Sequence, residues 1–269
     1  MSDDKTEYQI NDRLSFQRFL GLSLGDKVPD AKTIWLFKET LRKSGALETL
    51  FVMFNKHLED MGIITHKGSI IDATFVDAPR QRNSREENKS IKEGKTPEEW
   101  KEKPHKLAQK DVDARWITKV KELHYGYKNH VKVDSDSKII LNHQTTTASV
   151  HDSNVCIELL DEKDNELYTD SAYASGKIAK ELPAHIKNTI HEQNRRSAPL
   201  SDEQKENNRI KSKIRCRVEH VFGFMTGSMH GITVRSIGIE RADFNNGLTS
   251  LVYNIFRYTI LQKQKQPVG

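Results

Sequence analysis

Three carboxylates occupy positions from which they could act together as ligands of a divalent cation. Asp72 lies in the segment GSIIDATFVDAP, whose side chains alternate between two faces with the period of a β-strand. Ile70 and Val76 share the face of Asp72, so this carboxylate is expected to be partly buried, where it needs a partner or a cation. Asp170 ends a second predicted strand, NELYTD, and Glu219 lies on a later helix.

These residues predict metal-ion chemistry if the two strands are neighbours in one sheet. Both aspartates then project near one point, and a helix packed across the sheet brings in the glutamate. An oxygen-only set suits hard cations such as Mg²⁺ or Mn²⁺, which bind carboxylates and keep positions for water and phosphate. Two such ions can activate an attacking hydroxyl in an in-line phosphoryl displacement. The simpler alternative places Asp72 at a solvated rim.

Competing chemistry leaves no signature in the sequence. The chain contains no GxxxxGK[ST], HExxH, GxSxG or GxGxxG motif. Its two cysteines, Cys156 and Cys216, form no CxxC pair, which indicates neither a disulfide framework nor a thiolate zinc site. The carboxylate cluster is therefore the leading candidate for a functional site.

Charge and hydropathy restrict the setting in which the chain works. The 269 residues include 43 Lys plus Arg against 38 Asp plus Glu, a formal net charge of +5 that mildly favours a polyanionic partner. The polar, acidic start MSDDKTEYQIND is not an export signal, and no run of about 18 apolar residues could span a bilayer. We expect a cytoplasmic protein without a membrane partner.

The elements that position the carboxylates follow from the hydrophobic pattern. Residues 1–65 are predicted to be a helical N-terminal region, with Asp30 as an N-cap and Gly45 as a stop. This region is either a helix-turn-helix type DNA reader or a structural subdomain. Residues 66–269 are predicted to form an α/β domain, a mixed sheet flanked by helices. Within it, HYGYKNHVKVD and IILNHQTTT form a hairpin through the turn DSDSK.

Four helices are predicted after the hairpin, and the one in SAYASGKIAKELPAH is expected to break at Pro183. Asp152 is expected to cap a helix that extends to Leu160. One long helix carries an apolar stripe from Ile210 to Met225, and the final helix, about residues 241–262, is expected to serve packing alone.

A long basic insertion, about residues 79–124, separates the first strand from the hairpin. Connections of this length are uncommon unless they are functional or disordered. Two interpretations stay open: a solvated flexible loop, or a strap that lies on DNA phosphates. In the second, Arg80, Arg82 and Arg85 contact phosphates and Trp100 is exposed for stacking.

A series of basic residues precedes Glu219, one at every second position. They are Arg209, Lys211, Lys213, Arg215 and Arg217. On a helix they fall on two sides, so both flanks of Glu219 are expected to be positive and to contact DNA phosphates. Arg215 lies one turn before Glu219, either as a surface ion pair worth less than about 1 kcal/mol or as a ligand of a substrate phosphate.

In this order, the motifs resemble the DDE transposases of bacterial insertion sequences, specifically the IS5-type family of the IS4/IS5 superfamily. The three carboxylates lie in IIDATFVDAPRQRN, YTDSAYAS and RCRVEHVFGFMTGSMHG, and HKLAQKDVDARW, HYGYKNHVKVD and SVHDS are also similar. The resemblance covers nearly the whole chain. It implies an RNase H-like catalytic core that uses divalent metal ions to cleave DNA at the ends of a mobile element and join the freed 3′-hydroxyl to target DNA.

The resemblance also implies partners and residue roles. Double-stranded DNA, as terminal inverted repeats and target, is the expected partner of a homo-oligomer at the bacterial nucleoid. Asp72, Asp170 and Glu219 become metal ligands, and Arg215 matches the arginine of an Arg-xxx-Glu signature. Thr226 stands where the broader signature places a lysine, seven residues after the glutamate, so that phosphate contact is expected to come from another residue or to be absent.

Two other functions fit the same sequence. Relatives have a further helical segment before TEYQINDRLSFQRFLGL, which predicts a shortened, non-mobile relic that binds element ends or inhibits full-length transposase without cutting. A structure-specific nuclease of the same fold would cut DNA and never join it.

Overall fold

The computed structural model describes residues 2–119, 121–195 and 197–265. Met1, Val120, Arg196 and residues 266–269, which belong to the regions predicted above, lie outside the described residues. The chain forms two compact units, Met1–Leu50 and Phe51–Gly269. The functional boundary that the sequence predicts between residues 65 and 66 stays a prediction.

The first unit is helical, as predicted. Its helices are α1 (Asp3–Asp12), α2 (Leu14–Phe19) and α3 (Ala31–Ser44). Asp30 caps the start of α3 through its side chain, as predicted from its position. The Glu7 carboxylate accepts a hydrogen bond from the Ala31 backbone N–H at 2.8 Å, and Asp3 pairs with Lys38 at 2.6 Å. These two contacts fasten α1 to α3.

After helix α4 (Ala46–Asp60), the described residues of the second unit include a six-stranded sheet. Its strands are β1 (Ser69–Asp77), β2 (Arg115–Lys119), β3 (Glu122–Asp134), β4 (Ile140–Thr147), β5 (Glu166–Tyr168) and β6 (Lys187–Asn188). β3 is antiparallel to β1, β2 and β4, whereas β5 is parallel to β1 and β6. This mixed sheet with flanking helices confirms the predicted α/β class, and its RNase H-like character stays a prediction.

The pairing of β1 determines where Asp72 points. Asp72 lies opposite Val131 of β3, in the middle of the sheet. On its other edge, β1 pairs with β5 only through Ser69 and Ile70. Further along that edge, the next backbone partner of β1 among the described residues is the loop after residue 231, which pairs with Asp77. The stretch of β1 that contains Asp72 therefore borders an opening.

The β3–β4 hairpin forms as predicted, and one buried carboxylate closes its turn. Oδ2 of Asp134 accepts from the backbone N–H and the hydroxyl of Ser137 at 2.8 and 2.7 Å. Oδ1 accepts from the backbone N–H of His66 at 3.1 Å. Because these donors come from the turn and from the segment before β1, Asp134 fixes the two strands that carry the centre of the sheet.

The insertion is folded, with short helices α5 (Arg85–Lys92), α6 (Glu98–Lys101) and α7 (Pro104–Leu107) before β2. Trp100 is 0% exposed, and its Nε1 donates to Glu87 at 2.5 Å. The ammonium groups of Lys106 and Lys110 lie 5.9 and 5.1 Å from its ring centre. The expectation that Trp100 is available to stack on DNA is therefore wrong: the ring is the small core of the insertion.

Asp111 attaches the insertion to the rest of the domain. Its two carboxylate oxygens accept from the Tyr127 hydroxyl of β3 at 2.8 and 2.7 Å. The same carboxylate accepts from the backbone N–H groups of Ala114 at 2.9 Å and Gly238 at 3.3 Å. The DVDARW segment thus has a structural role in this chain.

The later helices differ in part from the prediction. They are α8 (Gly176–Glu181), α9 (Asp202–Arg215), α10 (Arg217–Gly227) and α11 (Ile239–Lys265). The prediction of a single long helix from Ile210 to Met225 is wrong, because the helix is interrupted at Cys216, between α9 and α10. None of the helices among the described residues has the length and apolarity that a bilayer-spanning helix requires.

The helix predicted after Asp152 is also wrong. Only a 3-10 turn, Asp152–Asn154, forms there. The Asp152 carboxylate pairs with Lys128 of β3 at 2.8 Å instead of capping a helix, and the turns that follow bury Val155 and Leu159 against the sheet. Tertiary pairing has overridden the local helix signal.

Each face of the sheet carries a separate part of the core. On the face of Ile70 and Val131, α10 packs through Val218 and Val221. On the opposite face, Ile71 packs against the segment 155–159 and α8. Asp72 shares the face covered by α10, which brings the helix that carries Glu219 over it.

Candidate functional site

Arg215 joins two of the three predicted carboxylates. Its Nη1 donates to Asp72 Oδ2 at 3.3 Å, and its Nη2 donates to Glu219 Oε1 at 2.5 Å. Asp72 comes from the middle of β1, Arg215 is the last residue of α9, and Glu219 lies in the first turn of α10. The predicted i, i+4 pair is confirmed, and the structure adds a contact to the sheet that sequence spacing could not show.

Asp72 is mostly buried, with 21% of its side chain exposed. Burial raises its pKa to about 6, and the charge of Asp170 adds to the rise. The Ala73 backbone N–H, which donates to Asp72 Oδ1 at 2.8 Å, and the Arg215 guanidinium hold the pKa down. The alternative of a solvated carboxylate at a strand rim is therefore wrong.

Asp170 lies two residues beyond β5 and caps a 3-10 turn, Ser171–Tyr173. Its Oδ1 accepts from the backbone N–H of Ala172 at 2.8 Å. Asp170 is half-buried, and it lies near enough to Asp72 for its charge to raise the pKa of that carboxyl. The structure therefore brings Asp170 into the same neighbourhood as the Asp72–Arg215–Glu219 group.

The three carboxylates are the right type of ligand for a divalent metal ion, but they are not arranged around a common point as ligands would be. Asp72, Asp170 and Glu219 offer carboxylate oxygens, the ligands that Mg²⁺ and Mn²⁺ prefer. Within residues 2–119, 121–195 and 197–265, no three His, Cys, Asp or Glu side chains are grouped closely enough to hold a metal ion. Instead, the cation that lies between Asp72 and Glu219 is the guanidinium of Arg215.

Further residues near this group were not singled out by the sequence. The Tyr173 hydroxyl is buried and has no hydrogen-bond partner among the described residues. Burial and the negative charges of Asp72 and Asp152 raise its pKa. Tyr173 and Asp152 lie in YTDSAYAS and SVHDS, two of the motifs that carry the family resemblance. Those motifs are the sequence signal that could have pointed to these two residues. Burial and the positive charges of Arg215 and Lys211 lower the pKa of His191.

A cavity of about 490 Å³ lies along β1 from the carboxylates, towards Asp77. Its lining includes Thr74, two residues after Asp72, and Thr226, seven residues after Glu219. His124 and His230 also line it. Thr226 donates to the Phe222 carbonyl at 2.6 Å, so the position of the missing lysine presents a hydroxyl.

The arginines predicted in the insertion remain accessible. Arg80, Arg82 and Arg85 are exposed. Arg80 Nη2 donates to the Leu123 carbonyl at 3.3 Å, and its guanidinium lies 5.6 Å from the Trp116 ring centre. Trp116 is 36% exposed, so part of its ring faces solvent, unlike that of Trp100.

The basic series before Glu219 does not form one uniform strip. Arg209 and Lys213 are exposed, and Arg209 pairs with Glu206 at 2.7 Å. Lys211 donates to the Ile190 carbonyl at 2.9 Å. Arg217 donates to the Ser135 carbonyl in the hairpin turn. The break at Cys216 and these contacts separate residues that a continuous helix would have aligned.

The chain is similar to known transposase families and to a solved transposase structure. The transposase DDE domain matches residues 64–255, and a second transposase domain (DUF772) matches residues 1–40. A cryo-EM structure of the piggyBac transposase synaptic complex with hairpin DNA is 13% identical, with a TM-score of 0.43 over 99% of this chain and 68% of that chain.

The family matches bear on the functions left open by the sequence. They do not favour the relic that binds without cutting. DDE transposase domains generally use divalent metal ions. The chain belongs to the transposase DDE domain family, and it is a transposase, an enzyme that cleaves and joins DNA strands.

Proposed function

We propose that this transposase cleaves DNA at the ends of an IS5-type insertion sequence and joins the freed 3′-hydroxyl to target DNA. Asp72, Asp170 and Glu219 hold Mg²⁺ or Mn²⁺ for this reaction. The observation that carries the proposal is the contact of one arginine with Asp72 and Glu219, beside a third carboxylate, Asp170. Three segments that are far apart in sequence thereby meet at the opening beside β1.

The metal ions would supply the Lewis-acid chemistry that these side chains lack. Bound by the carboxylates, they would activate the attacking hydroxyl and stabilise the charge on the departing oxygen. No nucleophilic side chain is then required. The residues of the chain have the tasks of binding the ions, excluding water and orienting the phosphate.

Arg215 is suited to orient the scissile phosphate. Its planar guanidinium presents paired donors that match phosphate oxygens, which an ammonium group cannot copy. It is 19% exposed and lies between Asp72 and Glu219, so a phosphate that arrives at the carboxylates also reaches Arg215. Thr226, His124 and His230 line the adjoining cavity along the expected DNA path.

DNA is proposed to bind through backbone phosphates. Exposed arginines of the insertion (Arg80, Arg82, Arg85) and exposed residues of α9 (Arg209, Lys213) supply the charge. Lys211 and Arg217 already donate to backbone carbonyls, so phosphate contacts by these two would require rearrangement. The partner is double-stranded DNA, bound by a homo-oligomer at the nucleoid in the bacterial cytoplasm.

A strand-transfer assay tests this proposal and separates joining from cutting. Purified protein is incubated with Mg²⁺, a supercoiled target plasmid and a duplex that carries a pre-cleaved 3′ end of the genetic element encoding the chain. We expect the labelled end to become covalently joined to the plasmid, and chelation of the metal to stop the reaction. A parallel reaction contains the uncleaved end, and cleavage there without any joining of the pre-cleaved end would indicate the nuclease instead.

A further inference from the structure

Two of the predicted carboxylates are joined by a cationic side chain of the protein itself. Arg215 uses one terminal nitrogen for Asp72 and the other for Glu219, at 3.3 and 2.5 Å. We call this pair of contacts the Arg215 bridge. Asp72 and Arg215 are both largely buried, with 21% and 19% of their side chains exposed, whereas 57% of the Glu219 side chain is exposed.

The Arg215 bridge and a bound divalent ion compete for the same oxygens. A carboxylate that ligates Mg²⁺ places an oxygen about 2.0 to 2.1 Å from the ion, at a nearly fixed angle. The guanidinium holds one oxygen of each carboxylate and brings a positive charge between them. A divalent ion there would be repelled by a cation a few ångströms away in a partly buried site.

We propose that Arg215 is the resident cation of the metal-free site, and that the Arg215 bridge must open before Asp72 and Glu219 can bind a divalent ion together. This inference rests on the proposed function, because it concerns the same three carboxylates. It accounts for the finding that the described residues contain no group of three ligating side chains arranged to hold a metal ion.

A DNA phosphate would give Arg215 a new partner in place of the two carboxylates. A backbone phosphate offers a guanidinium two oxygens in bidentate geometry, a charge-assisted contact as strong as the carboxylate contacts it would replace. If a phosphate draws Arg215 away, DNA binding and metal binding strengthen each other, and the coupling is equal in both directions. The site would then collect its metal ions mainly when a DNA strand is present, which limits uncontrolled cleavage.

Replacing Arg215 by lysine removes the contact with both carboxylates but keeps the positive charge. In Arg215→Lys the positive charge stays, but a single ammonium on a shorter side chain cannot place one donor on each carboxylate. Lys205→Arg is the matched control, since Lys205 is exposed on the same helix, pairs with Asp202 and makes the reverse exchange away from the carboxylates. A purely electrostatic effect of Arg215 would leave both variants like the wild type.

The first test is a titration of the full-length, DNA-free protein with Mn²⁺, with free Mn²⁺ followed by electron paramagnetic resonance. We expect Arg215→Lys to bind Mn²⁺ at least about fivefold more tightly than the wild type, the lower end of typical coupling strengths, and Lys205→Arg to bind it like the wild type. Equal or weaker binding by Arg215→Lys would overturn the Arg215 bridge while leaving the metal site in place. Absence of Mn²⁺ binding in all three proteins would overturn the proposed metal site and the bridge with it.

The second test adds a duplex that lacks element ends, so that no cleavage accompanies binding. Wild-type protein should then bind Mn²⁺ about fivefold or more tightly than it does without DNA. Arg215→Lys should gain clearly less from the duplex, because its carboxylates are already free. An equal gain in both proteins would show that DNA acts on the metal by another route and would overturn the proposed coupling.

Discussion

The guanidinium of Arg215 lies 3.3 Å from a carboxylate oxygen of Asp72, a residue 143 positions earlier in the chain. The contact connects the centre of the sheet to the end of α9. Cys216, the next residue, separates α9 from α10. Because α10 carries Glu219, this one contact sets the distance between the strand carboxylate and the helix carboxylate.

The raised pKa of Asp72 predicts a specific pH dependence of stability. Its pKa moves from 3.8 to about 6 on folding, so the folded state binds this proton more tightly than the unfolded chain. The free energy of unfolding should therefore fall as the pH rises from about 4 to about 6, by up to about 3 kcal/mol. Asp72→Asn cannot titrate and should lack this component.

Urea unfolding of wild type and Asp72→Asn in EDTA, at about pH 4.5 and about pH 7, measures the effect. The variant should gain stability relative to the wild type at the higher pH. A difference that is the same at both values would mean that Asp72 titrates normally in the folded protein.

Arg215→Lys should keep the fold but lose catalytic rate. At saturating Mg²⁺, we expect strand cleavage to slow by at least about tenfold, or some 1.4 kcal/mol of transition-state stabilisation, because an ammonium cannot hold a phosphate in bidentate geometry. Single-turnover cleavage rates provide the measurement. Equal rates would reduce Arg215 to an ion-pair partner of Glu219.

Arg80 and Arg82 should contribute charge rather than sequence recognition. Replacing each by Ala should weaken binding to all DNA sequences alike and lower the salt dependence by about one ion per residue. Fluorescence anisotropy over a salt series, with two unrelated duplexes, measures both effects. A change in sequence preference without a change in salt slope would remove these arginines from the phosphate contacts.

The link between Asp111 and Tyr127 should stabilise the insertion. Tyr127→Phe leaves a buried carboxylate without its hydroxyl donor and should lower the free energy of unfolding by about 2 kcal/mol. Tyr125→Phe is the matched control, because the buried Tyr125 hydroxyl has no hydrogen-bond partner among the described residues. Chemical denaturation of the two variants provides the comparison, and equal losses would argue against the Asp111 link.

Local sequence signals predicted the central sheet well. The period-two pattern around Asp72 gave β1, and the polar turn between HYGYKNHVKVD and IILNHQTTT gave the hairpin of β3 and β4. Both signals are short-range: alternation marks a strand with two different faces, and a cluster of Asp and Ser marks a turn. The burial of Asp72 followed from its apolar neighbours on the same face.

Contacts between distant residues were beyond such signals. Trp100 is buried because Glu87, Lys106 and Lys110 surround it, and nothing in a polar stretch announces that packing. The break at Cys216 carries neither glycine nor proline. Asp152 has a typical capping sequence, yet its carboxylate pairs with Lys128 on β3. In each case tertiary partners outweighed local propensity.

Cleavage by single and double carboxylate variants tests most directly whether Asp72, Asp170 and Glu219 form one catalytic site. The assay follows nicking at the element ends with Mg²⁺, and Asp60→Asn, an exposed aspartate on α4, serves as the control. We predict that Asp72→Asn, Asp170→Asn and Glu219→Gln each slow cleavage by about 1,000-fold, some 4 kcal/mol. The double variant Asp72→Asn/Asp170→Asn should be no slower than either single variant, because residues that act as a unit are not additive. Cleavage at the wild-type rate by Asp170→Asn would contradict the account.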